Sequence, residues 1–156
     1  MLNDKVNNFV LKKDHAMPSA GYSQTPLAKK LGIKPGYRIR LFNAPVHYFS
    51  LIHDMPDAVE VTNSGEGKKD FIHFFTTDPV ELNNILPQLK KEITPNGIIW
   101  VSWPKRSSKA ASGVNENMIR DTALRNGLVD IKVCAVDETW SGLKLVIPVK
   151  DRLMIN

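Results

Sequence analysis

The strongest constraint on the fold is an apolar strand that ends in a corner without glycine. Residues Arg38 to Phe42 predict a β-strand, and Asn43-Ala44-Pro45 follow it directly. In sheets that bind nucleotides, glycines occupy the corner after the first strand because the backbone must pass close to the ligand. Pro45 also removes a backbone N–H from this corner. The pattern therefore favours an α/β sheet and argues against its usual ligand-binding turn.

The chain is long enough for one compact domain with a buried core. It has 156 residues, of which 42% are hydrophobic. We expect a flexible N-terminal arm over residues 1–19, a single α/β domain over 20–150 and a short tail over 151–156. The first residues contain no apolar run as long as a signal peptide or a membrane span, which predicts a cytoplasmic protein without a membrane partner.

Cysteine and histidine do not predict a metal site. Cys134 is the only cysteine, and its apolar neighbours predict a buried thiol without a disulfide. The four histidines lack metal-ligand spacing as a set, and no serine lies in a recognisable nucleophile motif. We therefore expect neither a metal centre nor a triad hydrolase.

Predicted strands and helices alternate along most of the chain. Continuous apolar runs predict buried strands, and capping residues followed by proline predict where helices begin. The predicted strands are Arg38–Phe42, Val59–Thr62, Phe71–Phe75 and Ile98–Trp103, followed by a hairpin of 129–137 and 143–149 with its tip at Glu138–Gly142. The predicted helices are Leu27–Leu31 with a Thr25-Pro26 cap, one from Pro45 to about Met55, one capped by Asp78 in a capping box with Glu81, and one capped by Asn115 that runs to Arg125.

This order predicts a three-layer, Rossmann-like α/β fold whose mostly parallel sheet carries a C-terminal antiparallel hairpin. Its overall pattern resembles the methyltransferase-like variety of that fold. Only Asn63 to Asp70 separate the second and third strands. Parallel strands usually need a dozen or more residues for a helical crossover. The fold is therefore expected to be shortened here, either by a stretched loop or by the loss of one strand and helix.

Four segments of the chain resemble the bacterial family called Domain of Unknown Function 3052. They are Ala20–Gly32, Asn43–Pro45, Trp103–Lys105 and Val133–Leu143. The resemblance runs from about Ala20 to Val146. It implies a small cytosolic protein, and it brings no established activity, substrate or catalytic residue.

A candidate ligand site follows from the predicted sheet. In an open parallel sheet, ligands bind beyond the carboxyl ends of the strands, so the residues that leave each strand are the candidates. The predicted ligand-binding residues are Asn43, Thr76, Thr77, Trp103, Lys105, Arg106, Asp137, Glu138 and Trp140. No catalytic residue is predicted among them.

Several of these residues also have an ordinary structural role. Asn43 and Thr77 would bind a ligand or satisfy the start of a following helix. Trp103 and Trp140 would sandwich a planar ligand, or simply pack. Lys105 and Arg106 would hold an anionic group of that ligand, or remain solvated.

The two adjacent acids are a further ambiguity. Asp137 or Glu138 would serve as a general base or bind a cation, or one of them would pair with a nearby Lys or Arg. Because adjacent residues of an extended chain point in opposite directions, both are not expected in one site.

Three functions remain open, and the sequence sets neither the oligomeric state nor the partner. The first is a non-catalytic or small-ligand-binding module without a cofactor, since the corner at Asn43 lacks glycine and Thr62-Asn63 offers no acid for a ribose. The second is an atypical methyltransferase that uses S-adenosylmethionine. The third is an accessory protein for nucleic acid or another polyanion, suggested by basic residues within Lys29–Arg40 and Lys105–Lys109, although no nucleic-acid motif accompanies them.

Overall fold

A computed structural model describes residues 25–108 and 112–153, and its central feature is a six-stranded sheet. The strand order is β2-β1-β3-β4-β6-β5. β1 to β4 are parallel, and β6 is antiparallel to both β4 and β5. The strands are β1 (Arg38–Phe42), β2 (Glu60–Thr62), β3 (Lys69–Phe75), β4 (Ile93–Pro104), β5 (Val129–Ala135) and β6 (Trp140–Val146). The predicted α/β sheet with its C-terminal hairpin is confirmed.

Helices and loops cover both faces of the sheet. The helices are α1 (Leu27–Leu31), α2 (Tyr48–Leu51), α3 (Pro79–Glu92), α4 (Glu116–Arg125) and α5 (Val149–Arg152). Helices α3 and α4 cover one face over a largely aliphatic core. The opposite face packs beneath α1 and α2, with aromatic rings prominent. No helix in the described ranges is long and apolar enough to cross a membrane.

The predicted domain limits fall partly outside the described residues. The N-terminal arm lies there entirely. Helix α5 begins before residue 151 and continues into the predicted tail, where Arg152 Nε donates to the Ile147 carbonyl oxygen at 2.8 Å.

The sheet is shortened between β2 and β3, as the sequence indicates. These two strands flank β1, and only residues 63–68 connect them. So short a crossover is possible because β2 pairs only with Arg38, Ile39 and Arg40, so the chain has little distance to return. The crossover contains no helix.

The crossover loop lies against two arginines of β1. A Cβ atom at Gly65 would stand 3.2 Å from Nη1 of Arg40, and one at Gly67 would stand 3.1 Å from Nη1 of Arg38. Arg40 also pairs with Glu92 of α3. The loop therefore covers β1 on the α3 side, where a crossover helix would otherwise pack.

One buried lysine holds this loop in place. Nζ of Lys69 donates to the carbonyl oxygens of Glu66 and Gly67, both at 2.7 Å, and lies 3.8 Å from the Glu92 carboxylate. Burial lowers the pKa of Lys69, an effect that Glu92 opposes. This ammonium group thus fixes the end of the loop, and Lys68 Nζ adds a bond to the Lys91 carbonyl oxygen of α3 at 2.8 Å.

One predicted helix start and one predicted helix cap are wrong. Helix α2 does not begin at Pro45, because the Tyr48 amide bonds the Pro45 carbonyl oxygen in a turn and the helix covers Tyr48–Leu51 alone. In α1, Pro26 occupies the N-cap position without a side-chain cap. Asp54 instead accepts the first-turn amides of α1, including that of Ala28 at 3.0 Å.

The later helix caps agree with the sequence. Asp78 accepts from the Val80 amide at 2.9 Å, and Asn115 accepts from the Met118 amide at 2.9 Å. Cys134 is free and only half-buried, so the prediction of a buried thiol is correct in part.

Candidate functional site

The carboxyl edge of the sheet brings together residues from four segments. The Thr76 amide donates to the Ser102 carbonyl oxygen at 3.0 Å, which joins the ends of β3 and β4. The Lys105 amide donates to the Thr139 carbonyl oxygen at 2.7 Å, which joins β4 to the hairpin tip. The end of β1 reaches the same edge through Asn43.

The corner after β1 is occupied by its own side chains. Asn43 has a positive φ of 61°, and its Nδ2 donates to the Phe75 carbonyl oxygen at 3.2 Å and to Glu81 Oε2 at 3.0 Å. Thr76 Oγ1 donates to Glu81 Oε1 at 2.8 Å. The structural alternative, in which Asn43 caps α2, is therefore wrong, because His47 occupies the N-cap position of that helix.

Glu81 is a site residue that sequence reasoning missed. Its position after Asp78 predicts a capping box, in which it would return to the Asp78 amide. That amide instead donates to Thr76 Oγ1 at 3.2 Å. The Glu81 carboxylate bridges two strand ends, a role that only their meeting in three dimensions reveals.

A histidine and an aspartate form a dyad at this edge. His47 Nε2 lies 3.0 Å from Asp137 Oδ2, and the side chains are 48% and 14% exposed. Asp137 Oδ1 accepts the amides of Thr139 and Trp140 at 2.8 and 2.7 Å. Because an ionised carboxylate only accepts, Nε2 carries the hydrogen of this bond, and none of the described residues donates to Nδ1.

This dyad corrects the sequence interpretation of Asp137. The expected alternative was an ion pair with Lys or Arg, and the partner is a histidine. His47 was not among the predicted residues, since it lies ninety positions away with no local motif to join them.

The two tryptophans do not sandwich one ligand. Trp103 is 8% exposed and packs in the core beneath α3 and α4. Trp140 packs on the opposite face, edge-on to Phe75 with ring centroids 5.0 Å apart. Trp140 is the first residue of β6 and pairs with Pro104 of β4. The predicted hairpin tip, Glu138–Gly142, is therefore too long, because its last three residues belong to β6.

Several of the predicted residues remain accessible to a ligand. Thr77, Arg106 and Glu138 are exposed, as is the hydrogen-bonded Asn43, and Lys105 and Trp140 are half-buried. Neither Lys105 nor Arg106 pairs with a carboxylate of the described ranges. The two cations at this part of the edge thus have no carboxylate partner among the described residues, whereas the Asn43 side chain at the corner is hydrogen-bonded.

A buried polar chain lies beneath the same edge. Tyr48 OH is hydrogen-bonded to His73 Nδ1 at 2.9 Å, and His73 Nε2 to Ser102 Oγ at 2.7 Å. The His73 ring stacks on Phe75 at 4.2 Å. Burial lowers the pKa of His73 to about 3 and raises the pKa of Tyr48, so both groups are neutral.

This chain places a histidine beside a serine, yet it is not a nucleophilic site. His73 and Ser102 are fully buried and Tyr48 nearly so. A substrate therefore cannot reach the serine without opening the core. The described residues also contain no group of three or more His, Cys, Asp or Glu side chains placed to hold a metal ion.

Several solved structures are similar to this one, and methyltransferases are among them. The magnesium protoporphyrin IX methyltransferase of Synechocystis PCC 6803 with bound S-adenosylmethionine has a TM-score of 0.53 at 11% identity, covering 78% of this chain and 74% of that one. The ribosomal protein L11 methylase of Lactobacillus delbrueckii subsp. bulgaricus has a TM-score of 0.51 at 12% identity, covering 77% and 74%. The fibrillarin pre-rRNA processing protein of Methanococcus jannaschii has a TM-score of 0.53 at 11% identity, covering 73% and 67%. At these identities the likeness establishes the fold.

The residues present do not fit S-adenosylmethionine in the usual place. The Asn43 side chain is hydrogen-bonded across the corner after β1, and Pro45 has no N–H to offer. At the end of β2, Thr62 Oγ1 accepts the Ser64 amide at 3.0 Å, and neither Thr62 nor Asn63 is the acid that usually binds a ribose. The fold resembles that of the methyltransferases, but the corner after β1 and the end of β2 lack the residues expected to hold this cofactor.

Sequence comparison identifies a family of unknown function. No curated protein matches the chain in sequence. A family model described as protein of unknown function (DUF3052) matches residues 53–149. This range includes Trp103–Lys105 and Val133–Leu143, whereas Ala20–Gly32 and Asn43–Pro45 lie before it. The match covers more than half of the chain, which therefore belongs to the DUF3052 family.

Proposed function

We propose that this protein is a non-catalytic module that binds a small ligand at the carboxyl edge of its sheet. The single observation behind this proposal is the hydrogen bonding of the corner after β1. There the Glu81 carboxylate accepts from both the Asn43 amide and the Thr76 hydroxyl, so these two donors are already engaged within the protein. A standard adenosyl cofactor would have to break these bonds to bind in the usual pose.

The ligand class follows from what remains open at the same edge. Lys105 and Arg106 supply positive charge without a carboxylate partner in the described ranges, and the partly exposed indole of Trp140 offers an apolar surface. Together they favour a small anionic molecule with a planar or apolar portion. The sealed Tyr48–His73–Ser102 chain favours binding rather than nucleophilic chemistry.

Native mass spectrometry of freshly purified protein tests for such a ligand. We expect a co-purifying small anion, and its loss from a variant carrying Lys105→Gln and Arg106→Gln. Lys150→Gln is the matched control, because Lys150 is an exposed lysine of α5. Equal retention by the double variant would place the ligand elsewhere.

Thermal unfolding with added S-adenosylmethionine tests the other half of the proposal. We expect no change in the midpoint at any concentration of the cofactor. A saturable rise would show that the folded state binds it and would refute the proposal.

The His47–Asp137 dyad favours a second candidate, an atypical methyltransferase. Nδ1 of a neutral His47 would accept a proton from a methyl acceptor at this edge. The test is transfer of label from methyl-labelled S-adenosylmethionine to components of a cell extract. Activity that His47→Gln abolishes and His53→Gln preserves would support this candidate, since His53 is exposed. No transfer to any fraction would exclude it.

A further inference from the structure

Four lysines converge at the outer strands β5 and β6 and the neighbouring end of α1. We call them the lysine patch: Lys30 of α1, Lys34 just after α1, Lys132 of β5 and Lys144 of β6. Lys132 and Lys144 are direct partners in the β5–β6 register. Like charges opposite each other in an antiparallel pair destabilise the sheet. The fold therefore accepts a repulsive pair at this position.

The end of α1 adds the other two charges. A Cβ atom at Gly32, the C-cap of α1, would lie 4.0 Å from Nζ of Lys144. Nζ of Lys30 donates to the Ala135 carbonyl oxygen at 3.2 Å, at the end of β5. These contacts place three separate segments against one another with their ammonium groups on one side.

The directions in which the pKa values of Lys144 and Cys134 are shifted agree with this convergence. Burial lowers the pKa of Lys144, and the charges of Lys132 and Lys34 lower it further. Burial raises the pKa of Cys134, while Lys30 and Lys132 act in the opposite direction. The charges that act on both groups are thus those of the patch itself.

The patch differs from the other cations of the sheet in having no counter-charge. Arg38 pairs with Glu60, and Arg40 and Lys69 share Glu92. Among the described residues, none of the four patch lysines forms an ion pair with a carboxylate. Compensation of a helix dipole does not explain the cluster, because Lys132 and Lys144 lie in strands.

We propose that the lysine patch binds a compact anion that carries several phosphate charges. A single polyphosphate group would contact the facing pair Lys132 and Lys144, and it would neutralise Lys30 and Lys34 at the edge of the site. Phosphate oxygens accept from ammonium groups in this way. The repulsion in the free protein is then relieved by the ligand, as is common where stability is given up for binding.

This site shares Lys30 and Lys34 with the polyanion surface that the sequence suggests, but not its other cations. Arg38 and Arg40 are paired with carboxylates, and Lys109 lies outside the described residues. Lys132 and Lys144 were absent from that interpretation, since only the hairpin register sets them opposite one another.

Calorimetric titration of the whole protein with sodium tripolyphosphate tests the proposal. We expect saturable binding at low salt that Lys132→Gln weakens about tenfold, equivalent to about 1.4 kcal/mol. Lys150→Gln removes the same charge from α5 and should leave the affinity unchanged. Binding should also weaken as salt rises.

A second measurement keeps the test independent of any folding defect. In the free protein at low salt, Lys132→Gln should raise the unfolding midpoint, and tripolyphosphate should then stabilise that variant less than the native chain. Three outcomes would overturn the proposal: no binding at low salt, equal weakening by Lys150→Gln, or binding of a single-stranded oligonucleotide with none of tripolyphosphate.

Discussion

The two faces of the sheet are packed by different means. Beneath α3 and α4 the core is mostly aliphatic, with Leu82, Leu86 and Leu89 of α3 fully buried. On the opposite face, α1 and α2 themselves have only one or two turns. That face relies on large rings and on the Tyr48–His73–Ser102 chain, which suggests that directional hydrogen bonds replace the apolar stripe of a long helix.

The largest expected effect comes from truncating one buried side chain on each face. Trp100→Ala should cost about 3–5 kcal/mol and Leu86→Ala about 2–5 kcal/mol, because both side chains are fully buried. Trp100 also donates its indole N–H to the Leu31 carbonyl oxygen at 2.8 Å, which holds α1 on the sheet. Urea denaturation should therefore show a further loss for Trp100→Ala, with amide exchange accelerated in α1.

A loss confined to Leu86→Ala would contradict this picture of the α1 face. Trp100→Phe serves as the control, since it keeps much of the ring volume and removes the hydrogen bond. Its stability should lie between those of the native protein and Trp100→Ala.

The next effect tests how tightly the α1 face is packed. A Cβ atom at Gly142 would lie 3.0 Å from the Trp100 ring and 3.1 Å from Ser102 Oγ. Because both neighbours are buried and hydrogen-bonded, Gly142→Ala should cost about 1–3 kcal/mol. Gly113→Ala is the matched control, where the nearest atom is 3.7 Å away. If Gly142→Ala leaves the free energy of unfolding in urea unchanged, the Trp100 ring can move aside at little cost and the face is not tightly packed.

Acid should destabilise the α1 face through His73. Burial lowers the pKa of His73 from 6.5 to about 3, so below pH 6.5 the unfolded chain takes up a proton that the folded chain refuses. The contribution of His73 to the free energy of unfolding is therefore fully present above pH 6.5 and is lost as the pH falls towards 3. Between pH 6.5 and about 5.5 the loss should be about 1 kcal/mol.

The measurement is the free energy of unfolding in urea at several pH values. His73→Phe should be less stable at neutral pH, since Tyr48 and Ser102 lose their partner, but its stability should fall less steeply with acid. His53→Gln, at an exposed histidine, should keep the native slope. An unchanged slope in His73→Phe would show that His73 is not the responsible group.

The smallest effect concerns the rim of the same face. The His47–Asp137 pair is half-exposed on the histidine side, and exposed ion pairs contribute only about 0.2–1 kcal/mol. His47→Gln should therefore change the unfolding free energy by less than about 1 kcal/mol. Asp137→Ala should cost more, since Asp137 also accepts two amides of the hairpin tip. Equal effects of the two variants would assign the stability to the ion pair alone.

Local patterns predict most of the fold. Apolar runs place the strands, and Asp78 and Asn115 mark helix starts, because these signals depend on residues a few positions apart. Strand boundaries are less secure. The hairpin was predicted to resume at Leu143 and resumes at Trp140, since Trp140 pairs with Pro104 through the sheet.

The candidate site depends on contacts that no local pattern contains. Asp54 caps α1, His47 reaches Asp137, and Glu81 joins Asn43 to Thr76 across distant parts of the sequence. The separation of the tryptophans had a simpler cause. Trp103 and Trp140 lie one register step apart on paired strands, and alternation along a strand sends their side chains to opposite faces.

The short crossover between β2 and β3 also bears on how the chain folds. The β1–β2 pairing joins residues such as Arg38 and Glu60, which are closer in sequence than the β4–β6 partners Ile98 and Val146, so it costs less chain entropy. The β4–β6 pairing should therefore form later. We expect the first three strands to act as an early folding unit, with Lys69 fastening their link before the hairpin docks.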